Sequence, residues 1–524
     1  MKPKHIAGAL GAAALLSAPL WSTVVAHAAT TASSDVYVST TGSDTTGTGT
    51  SNSPYKTISY AISKAAPNTT IVVEPGTYKE SVTITKNVTL ESDSTKTDAT
   101  ANTIIDATGQ NNGVFIDGQA ASGTVINGLT VENANNEGIW VRNTAHVTVE
   151  NNVVENNGIN PTKTSTTAIS ENKPILLDGT AYSVVSNNTV KGNKADGGVS
   201  IADYGAFDPG APEPTTPPSA PPANAPSVAS VPSIGNILID NDIDTNAGGC
   251  GIVVAAYNPQ GGVMNNQVIG NTVNKIVAGI VVAADSPHTV AKNNLVLDNK
   301  ITNNFIPGVI IHSNTPGDVV EGNVVSGNTI SGNGPDGEVR DSWPTGIVIS
   351  GEVNPVTNTV VSNNVISDET CGIWAKNAPS THLSDNHTAS DVSTPVFGLS
   401  PSAEVDVDGK AVATLPVISD NNAAYVPVWN VMQLVKQFGV TSHWNGQQLS
   451  FDTSEVGKPS ASKSLGSGNM GVSINGVKVA IVEGFDAPTN YGLTAYMPVN
   501  ELSKVVTALG HQNSWDGVVW SFSK

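Results

Sequence analysis

The chain has 524 residues, enough for two or more domains, although one elongated domain could use most of them. Only 13% of the residues are charged and the formal net charge is −20, which does not suit binding to nucleic acid or to an anionic membrane. The same charge would repel a polyanionic glycan unless calcium or a local basic patch intervened. Gly, Asn, Thr, Ser and Val are abundant and favour strands and turns over helices.

The N-terminus has the pattern of a secretory signal peptide. Two lysines precede an apolar run over about residues 6–25, and Ala26-His27-Ala28 fits the small-x-small cleavage rule. No other apolar run approaches the ~18 residues that a membrane-spanning helix needs. We therefore expect cleavage after Ala28 and a protein without a transmembrane segment that is secreted or held at the cell surface.

A repeat of about 25 to 29 residues occupies the middle of the chain. Its first motif is Gly-[Ile/Val]-x-[Ile/Val], with copies or close copies at Gly113, Gly138, Gly198, Gly251, Gly279, Gly308, Gly346 and Gly372, and with Pro174-Ile-Leu-Leu between the second and the third. A second motif, Asn-x-[Val/Ile]-x-x-Asn, begins at Asn152, Asn188, Asn241, Asn299 and Asn328, with weaker copies at Asn271 and Asn364.

A strand, an Asn-bearing turn and another strand in each unit describe one coil of a right-handed parallel β-helix. Stacked coils place equal positions above one another at ~4.8 Å, so an Asn at a fixed turn can bond to its copies above and below. We therefore predict an all-β solenoid with a ladder of asparagine side chains, and interpret these asparagines as scaffold.

The residues before the repeat fit the same fold. The segments VYVSTTGSD, SPYKTISYAISKA and TIVVEPGTYKESVTI resemble the start of secreted β-helix proteins, including some pectate lyases. Over roughly residues 35 to 395 the chain resembles the NosD-like family of parallel β-helix repeat proteins. The resemblance implies the fold, and the amphipathic stretch from Thr57 to Ala65 is predicted to be a short helix that caps the first coil.

The chain contains two cysteines, Cys250 and Cys371, and each stands just before a repeat glycine. They therefore occupy the same coil position, and the four coil steps between them amount to ~19 Å. A disulfide requires Cα atoms within ~7 Å. We predict two unpaired thiols.

A different repeat begins after about residue 400. The stretch from Ala424 recurs from Ala495, and each copy reads as a strand, a helix and a Trp-[Asn/Asp]-Gly hairpin. The two copies resemble the stalk domain that is also called copper amine oxidase N-terminal-like, which implies attachment rather than copper binding. We expect three parts: a signal peptide over 1–28, a β-helix over 29–400 with insertions at about 206–233 and 332–345, and a tandem-repeat α+β domain over 401–524.

Candidate functional residues lie on the outer face of the strand that follows the repeat glycine. The first and third residues after the glycine should point inward and the second outward. The outward positions are Phe115, Trp140, Leu176, Ser200, Val253, Val281, Ile310, Val348 and Trp374. Such an apolar stripe is either covered, by an inserted loop or by the C-terminal domain, or else Trp140 and Trp374 stack on sugar rings.

The turn after that strand carries the polar candidates. Four to six residues beyond the repeat position stand Asp117, Arg142, Asp178, Asp203 with Tyr204, Tyr257, Asp285, His312, Glu352 and Lys376. Since they come from successive coils, they are predicted to form a ridge beside the stripe. Asp178 and Asp203 belong to neighbouring coils, where two carboxylates could do acid–base work or share a Ca²⁺, the one cofactor that this pattern suggests.

Arg142, His312, Tyr204 or Tyr257 could abstract or return a sugar C5 proton in a β-elimination. The candidate catalytic residues are therefore Asp178, Asp203, Tyr204, His312 and Arg142. Candidate substrate-binding residues are Trp140, Trp374, Tyr257 and Asp285, with Glu338, Arg340, Asp341 and Trp343 from the second insertion. The alternative interpretation is that the ridge consists of solvated turn residues and that Trp343 only anchors a loop.

One further stretch bears on activity. Tyr204-Gly-Ala-Phe-Asp-Pro209 resembles the signature of mannuronan epimerases, but one residue is inserted and Gly210 stands where the signature has a histidine. Polygalacturonase signatures are absent from the sequence. We expect a monomer that engages extracellular or cell-wall polysaccharide, and slightly favour a non-catalytic glycan-binding or envelope structural role over a polysaccharide lyase or epimerase. Metal delivery by analogy with NosD ranks lower, because a His, Met or Cys cluster is lacking.

Overall fold

The computed structural model describes residues 35–159, 173–194, 197–205, 230–337, 339, 343–378, 380–397, 402–420, 423–459, 465–489, 492–515 and 519–523. The expected signal peptide, most of the Pro-rich insertion and three candidate residues, Glu338, Arg340 and Asp341, lie outside this part of the chain. Among the described residues, no helix is both long and apolar enough to cross a membrane.

The described residues between Val36 and Phe397 form a right-handed parallel β-helix, as the repeat predicts, and three long sheets run along its axis. Sheet A contains Val36–Val38, Thr69–Val73, Val88–Ser92, Val125–Asn127, Thr148–Glu150, Val184–Ser186, Ile237–Ile239, Gln267–Ile269, Leu295–Leu297, Val324–Ser326, Val360–Ser362 and His382–Ser384. Sheet B contains Val82–Ile84, Val114–Asp117, Ile139–Arg142, Ile175–Asp178, Val199–Ala202, Cys250–Ala256, Ala278–Ala284, Val309–Ser313, Thr345–Gly351, Cys371–Lys376 and Thr394–Phe397.

Sheet C contains Gly76–Tyr78, Thr103–Asp106, Thr130–Glu132, Val153–Glu155, Thr189–Lys191, Asp242–Asp244, Thr272–Asn274, Lys300–Thr302, Thr329–Ser331, Val365–Ser367 and His387–Thr388. A shorter sheet D, between sheets B and A in the middle coils, contains Ser233–Ile234, Gly262–Met264, Val290–Lys292, Val319–Glu321 and Val356–Thr357. The described coils pair in parallel throughout, so that each side chain lies above its equivalent in the coil before.

The strands of sheet B contain or directly follow the repeat glycines, and they keep one register. Ile139 pairs with Val114 on one side and with Ile175 on the other. The first and third residues after each glycine are buried in the core, as predicted; Ile139 and Val141, for example, are fully buried. The glycine itself is needed where coils approach closely, because a Cβ atom at Gly138 would lie 2.8 Å from the carbonyl oxygen of Pro174 in the next coil.

The predicted asparagine ladder is present between sheets A and C. At each step the Oδ1 atom accepts hydrogen bonds from the backbone N–H and the side-chain amide of the asparagine one coil earlier, at 2.8–3.2 Å. Its members are Asn152, Asn188, Asn241, Asn271, Asn299, Asn328, Asn364 and Asn386. The preceding residue has a positive φ, 56° at Asn151 and 54° at Asn187, a conformation that Asn tolerates.

Two further ladders were not predicted. One uses the last asparagine of the same motif, five residues later, and contains Asn157, Asn193 and Asn246, then Asn304 and Asn333. The other lies five residues earlier, at the turn before sheet A, and contains Asn236, Asn266, Asn294 and Asn323. Because buried amides in all three turns are satisfied by their neighbours along the axis, the turns stack rigidly.

The N-terminal coil is capped by the helix Ile58–Lys64, close to the predicted bounds. Thr57 accepts a hydrogen bond from the N–H of Tyr60, and Glu80 accepts from the N–H groups of Ile58 and Ser59, so the first turn of the helix is fully anchored. A one-turn helix, Ala99–Asn102, and a 3₁₀ turn, Gln119–Ala121, lie in later connections.

The C-terminal module confirms the tandem repeat. Its helices are Val428–Lys436 and Val499–Ala508, and its strands are Ser402–Val407, Lys410–Pro416, Ile418–Asp420, Ala423–Pro427, Thr441–Trp444, Gln448–Asp452, Met470–Ile474, Val477–Val482, Phe485–Thr489, Gly492–Pro498, Gln512–Trp515 and Val519–Ser523. The two copies exchange strands. The hairpin of Ser402–Val407 and Lys410–Pro416, which precedes the first copy, pairs with Val519–Ser523 of the second copy. The hairpin of Met470–Ile474 and Val477–Val482, which follows the first copy, pairs with Gln448–Asp452 of the first copy. The module has its own apolar core.

Candidate functional site

The outward apolar stripe of sheet B is buried except at Phe115, which is partly exposed. Trp140, Leu176, Ser200, Val253, Val281, Ile310, Val348 and Trp374 are each at most 9% exposed. Over the later coils the stripe forms one apolar cluster with Val339 and Trp343 of the second insertion and with Ile418 and Tyr496 of the C-terminal module. Both covers that the sequence suggested therefore contribute.

This packing bears on two of the candidate sugar-binding residues. Trp374 is 4% exposed and belongs to that cluster. Trp343 makes an edge-to-face contact with Phe397, with ring centroids 5.3 Å apart. Of the two interpretations that the sequence left open for these indoles, burial favours anchoring and covering over contact with a sugar.

An arginine–aromatic cluster lies on the outer face of the earlier coils and consists of Phe115, Trp140, Arg142 and Tyr204. The rings of Phe115 and Trp140 are 4.7 Å apart. The Arg142 guanidinium lies 4.7 Å from the Phe115 ring, 4.8 Å from the Trp140 ring and 5.4 Å from the Tyr204 ring. Phe115 and Tyr204 are only partly buried, so the cluster presents ring surface as well as charge.

Arg142 is also ion-paired. Its Nε and Nη2 atoms donate to the two oxygens of Asp117 at 2.9 and 3.1 Å, a bidentate pair between neighbouring coils. Trp140 donates its indole N–H to Asp178 at 3.4 Å. In the register of sheet B, Arg142 lies between Asp117 and Asp178.

Asp178 and Asp203, the predicted carboxylate pair, face opposite neighbours along the axis. Asp178 meets Trp140 of the preceding coil, whereas Asp203 accepts from the backbone N–H groups of Tyr257 at 2.7 Å and Asn258 at 3.2 Å in the following coil. Burial raises the pKa of Asp203 to about 6 despite these hydrogen bonds. A Cβ atom at Gly261 would lie 1.6 Å from the Asp203 carboxylate, so this turn is built around that side chain.

The Asp203 carboxylate thus stabilises the turn that contains Tyr257 and Asn258, and Tyr257 takes part through its backbone N–H. Within the described residues, no group of three His, Cys, Asp or Glu side chains could hold a metal ion. The shared Ca²⁺ site at Asp178 and Asp203 therefore stays a prediction from the sequence.

A second polar group, the histidine group, lies further along the ridge and consists of Asp285, His312, Glu352 and Lys376. The His312 Nε2 atom is 3.5 Å from Asp285, and neither imidazole nitrogen makes a hydrogen bond within the described residues. Burial raises the pKa of Asp285, and the nearby His312 partly offsets this effect. Lys376 binds Glu352 at 2.6 Å.

An exposed aromatic pair on the coils of Arg142 and Asp178 was not predicted from the sequence. His146 and Tyr182 stack with ring centroids 5.6 Å apart and an interplanar angle of 16°, and Tyr182 is 58% exposed. Tyr182 follows Asp178 by four residues, which places their Cα atoms within ~14 Å. A signal was present, because both rings stand eight residues beyond the repeat position, at Gly138 and Pro174.

Two cavities lie away from this surface. One of about 680 Å³ lies in the C-terminal module, between residues 479–483 and the helix Val499–Ala508. The other, of about 590 Å³, adjoins the short helix Ala99–Asn102. Neither of these two cavities is lined by a ridge residue.

These features define a class: right-handed parallel β-helices whose outer sheet and adjoining turns carry the candidate site. The comparison with family models agrees, since residues 86–294 match a model described as a right handed beta helix region. Residues 291–426 match a model described as a protein of unknown function (DUF1565). The comparison with curated protein sequences gave no significant match.

Several solved structures share the fold. The polygalacturonase of Erwinia carotovora ssp. carotovora is 13% identical with a TM-score of 0.44, over 70% of this chain and 99% of that one. The A-module of a mannuronan C-5 epimerase from Azotobacter vinelandii is 15% identical with a TM-score of 0.42, over 65% and 91%. A surface protein and adhesin of Streptococcus pneumoniae is 13% identical with a TM-score of 0.36, over 62% and 90%. At these values the likenesses support no conclusion about activity.

Proposed function

We propose that this chain is an exported, cell-surface β-helix protein that binds polysaccharide without turning it over. The binding surface would comprise the exposed His146–Tyr182 stack and the neighbouring arginine–aromatic cluster. The observation that carries the proposal is the Tyr182 ring, which is 58% exposed although it stands on a rigid coil and is held flat against His146.

Aromatic side chains provide apolar contact area at a small cost in conformational entropy, and their faces can pack against the C–H face of a sugar ring. Successive coils repeat every ~4.8 Å, so the rings of His146 and Tyr182 on neighbouring coils form a platform along the axis, the Tyr182 platform. Side-chain amides, carboxylates and the guanidinium beside the platform could hydrogen-bond sugar hydroxyls.

The bonding of the candidate catalytic residues favours binding over chemistry. The guanidinium of Arg142 donates two hydrogen bonds to Asp117, and the carboxylate of Asp203 accepts hydrogen bonds from the backbone of the following turn. A general base must be free to take a proton from the substrate, and these two side chains are engaged in the scaffold.

The C-terminal module fits an attachment or spacer role within this proposal. Its resemblance to stalk domains suggests attachment, and its contact with the apolar stripe fixes it beside the later coils. The Tyr182 platform lies on earlier coils, so a glycan could bind there while the module stays in place.

A panel of polysaccharides tests the proposal. The purified protein should be retained on a column of at least one cell-wall or extracellular glycan, and long incubation should produce neither new reducing ends nor ultraviolet absorbance from unsaturated uronates. An NMR check of uronate composition excludes silent epimerisation. Turnover of any panel member would contradict the non-catalytic part, and the absence of retention on every member would contradict binding.

The second candidate function is a polysaccharide lyase or epimerase that acts on a uronate-containing glycan, and one observation favours it. His312 lies beside Asp285, and within the described residues neither of its buried ring nitrogens has a hydrogen-bond partner, so the imidazole could exchange a proton with a substrate whose binding uncovers it. If the panel reveals turnover, His312→Gln should abolish it, while His443→Gln in the C-terminal module should leave it unchanged.

A further inference from the structure

Sheet A carries an apolar patch on its outer face. In five successive strands, from Val184–Ser186 to Val324–Ser326, the middle residue is buried in the core and the two flanking residues point outward. Seven of these ten outward side chains are apolar and partly exposed, and none of the ten is charged. The sheet A patch consists of these seven: Val184, Ile237, Ile239, Ile269, Leu295, Leu297 and Val324.

Sheet C shows what the same coils place on a solvated face. In its five strands from Thr189–Lys191 to Thr329–Ser331, all ten outward positions are polar or charged. The stripe of sheet B is apolar, but in the later coils the C-terminal module packs against it. Among the described residues the sheet A patch stays partly exposed, and a contiguous apolar patch of this kind marks an interaction surface.

The patch is held as a rigid surface. Its strands keep one register, in which Ile239, Ile269 and Leu297 lie directly above one another. An asparagine ladder runs along each edge of these strands, and side-chain ladders counter the twist of a sheet. Equivalent side chains therefore repeat every ~4.8 Å, over ~19 Å from the first of the five strands to the last.

One edge of the patch adjoins the Tyr182 platform. The Tyr182 ring lies against the next turn, where a Cβ atom at Gly235 would be 2.7 Å from it, and Gly235 precedes Ile237 of the patch by two positions. Asn265 and Asn293 follow in the same column of turns and are exposed. This edge thus offers an aromatic face and amide groups that hydrogen-bond hydroxyls.

Charge restricts what can occupy the patch. Asp240 and Asp298 are exposed at the other edge, and Lys292, beside the first edge, binds Glu321 at 2.8 Å. The chain as a whole has a net charge of −20. A second copy, an anionic membrane or a polyuronate would bring like charge to this surface, whereas an uncharged partner meets no such repulsion.

We infer, on the basis of the proposed function, that the sheet A patch and the Tyr182 platform together bind the packed chains of an uncharged, insoluble polysaccharide. Neutral sugar rings present apolar C–H faces bordered by hydroxyls, which complement an apolar patch with an aromatic and amide edge. A single soluble chain covers only a strip of the patch, whereas a layer of packed chains covers all seven side chains. The apolar area that is buried, and with it the affinity, is therefore larger for the packed form.

Sedimentation with cellulose and chitin particles tests the inference, with soluble hexamers of the same sugars as competitors. The full chain should sediment with at least one kind of particle, and an equal mass of the matching hexamer should leave most of the protein on the particles. Added sodium chloride should leave binding unchanged, because no charge pair forms at the patch.

Two double variants locate the surface. Ile269→Gln with Leu297→Gln places at two patch positions the residue that the chain itself has at Gln267, and it should weaken binding to the particles about tenfold because apolar contact is lost. Thr272→Gln with Thr329→Gln is the matched control on the outer face of sheet C and should preserve binding. If the first variant does not fold, the competition by the hexamer on the unaltered protein still decides the question.

The outcomes separate this inference from the proposed function. Displacement of most of the protein by the soluble hexamer, or equal binding of both folded variants to the particles, would overturn the role of the patch. A dimer seen by light scattering, or binding to phosphatidylcholine vesicles, would also overturn it if Ile269→Gln with Leu297→Gln abolishes that association. Retention on an immobilised soluble glycan without binding to any particle would overturn this inference alone. Failure to bind glycan in either form would overturn both.

Discussion

Asn333 donates two hydrogen bonds to a single carboxylate oxygen of Glu369, from its backbone N–H at 2.9 Å and from its side-chain amide at 2.8 Å. A glutamate thus occupies the position that an asparagine takes earlier in this ladder. The other oxygen is buried without a hydrogen-bond partner among the described residues. The pKa of Glu369 is raised to about 7: burial makes the largest contribution, the nearby Asp368 and Asp391 add to the shift, and the bonds from Asn333 oppose it.

This end of the ladder should make stability depend on pH. Because the folded-state pKa of about 7 lies above the ordinary value of 4.5, the folded protein binds the Glu369 proton more tightly than the unfolded chain does between those values. The free energy of unfolding should therefore fall as the pH rises through this window, by up to roughly 3 kcal/mol.

Glu369→Gln keeps the acceptor oxygen and adds a permanent donor, so it should abolish that contribution. The measurement is the denaturant midpoint of both proteins at about pH 5 and about pH 8. At the higher pH the midpoint of the variant should rise relative to that of the original chain. Asp203 titrates in both proteins and cancels in the comparison. Equal pH dependence of the two proteins would refute the assignment.

The ladder itself should be a main source of stability. Asn271 is fully buried, accepts from Asn241 at 2.9 and 3.0 Å and donates to Asn299 at 3.0 Å. Asn271→Ala leaves two buried donors of Asn241 unsatisfied and should lower the free energy of unfolding by roughly 3 kcal/mol. The control is Asn102→Ala at an exposed position, which should change it by no more than about 0.5 kcal/mol. Similar effects of the two changes would be inconsistent with a ladder.

The two thiols should differ in reactivity. Cys371 is fully buried, and burial raises the pKa of its thiol to about 12, whereas Cys250 is partly exposed; no disulfide joins the two cysteines. Mass spectrometry after alkylation should show one modification in the native protein and two after unfolding without reductant. No modification of the unfolded chain without reductant, and two after reductant is added, would reveal a disulfide and contradict the stacking of the two positions.

The C-terminal module should protect the later strands of sheet B. Ile418 is 2% exposed and lies in the apolar cluster with Trp374. Ile418→Asp buries a charge in that contact and should release the module, which increases hydrogen exchange in the strand Cys371–Lys376. Val412→Asp, at a site in the same module that is 45% exposed, is the matched control and should leave exchange unchanged. Unaltered protection in both variants would show that the module does not cover the stripe.

Much of the fold could be predicted from sequence because each coil repeats the same requirements. Gly138 and its equivalents are dictated by close approach between coils, and Asn152 and its equivalents by hydrogen bonding along the axis. The second ladder was missed although the motif contained it: Asn157 is the last residue of the motif that begins at Asn152. The motif was interpreted as one turn, whereas a strand of three residues separates two turns.

The site was harder to predict because sequence offsets place residues on a coil but do not show where their side chains bond. Asp178 and Asp203 stand on neighbouring coils as expected, yet they face opposite neighbours. Arg142 was predicted on the ridge, but its bidentate pairing with Asp117 depends on the register of sheet B. Tyr182 stands eight residues beyond the repeat position, outside the offsets of four to six that define the predicted ridge.

The central claim is that Tyr182 belongs to a glycan-binding platform. Tyr182→Ala should lower the affinity for the glycan identified in the panel about tenfold, since a stacked aromatic contact contributes about 1 to 1.5 kcal/mol. The melting temperature of the Tyr182→Ala variant should equal that of the original chain, because the Tyr182 ring is 58% exposed.

The matched control is Phe305→Ala, which removes a ring that is 71% exposed on another turn and should preserve the affinity. The most direct measurement is a calorimetric titration of the original chain and both variants with that glycan. A tenfold loss confined to Tyr182→Ala is the predicted result. Equal affinity of all three proteins, or an equal loss in both variants, would contradict the platform.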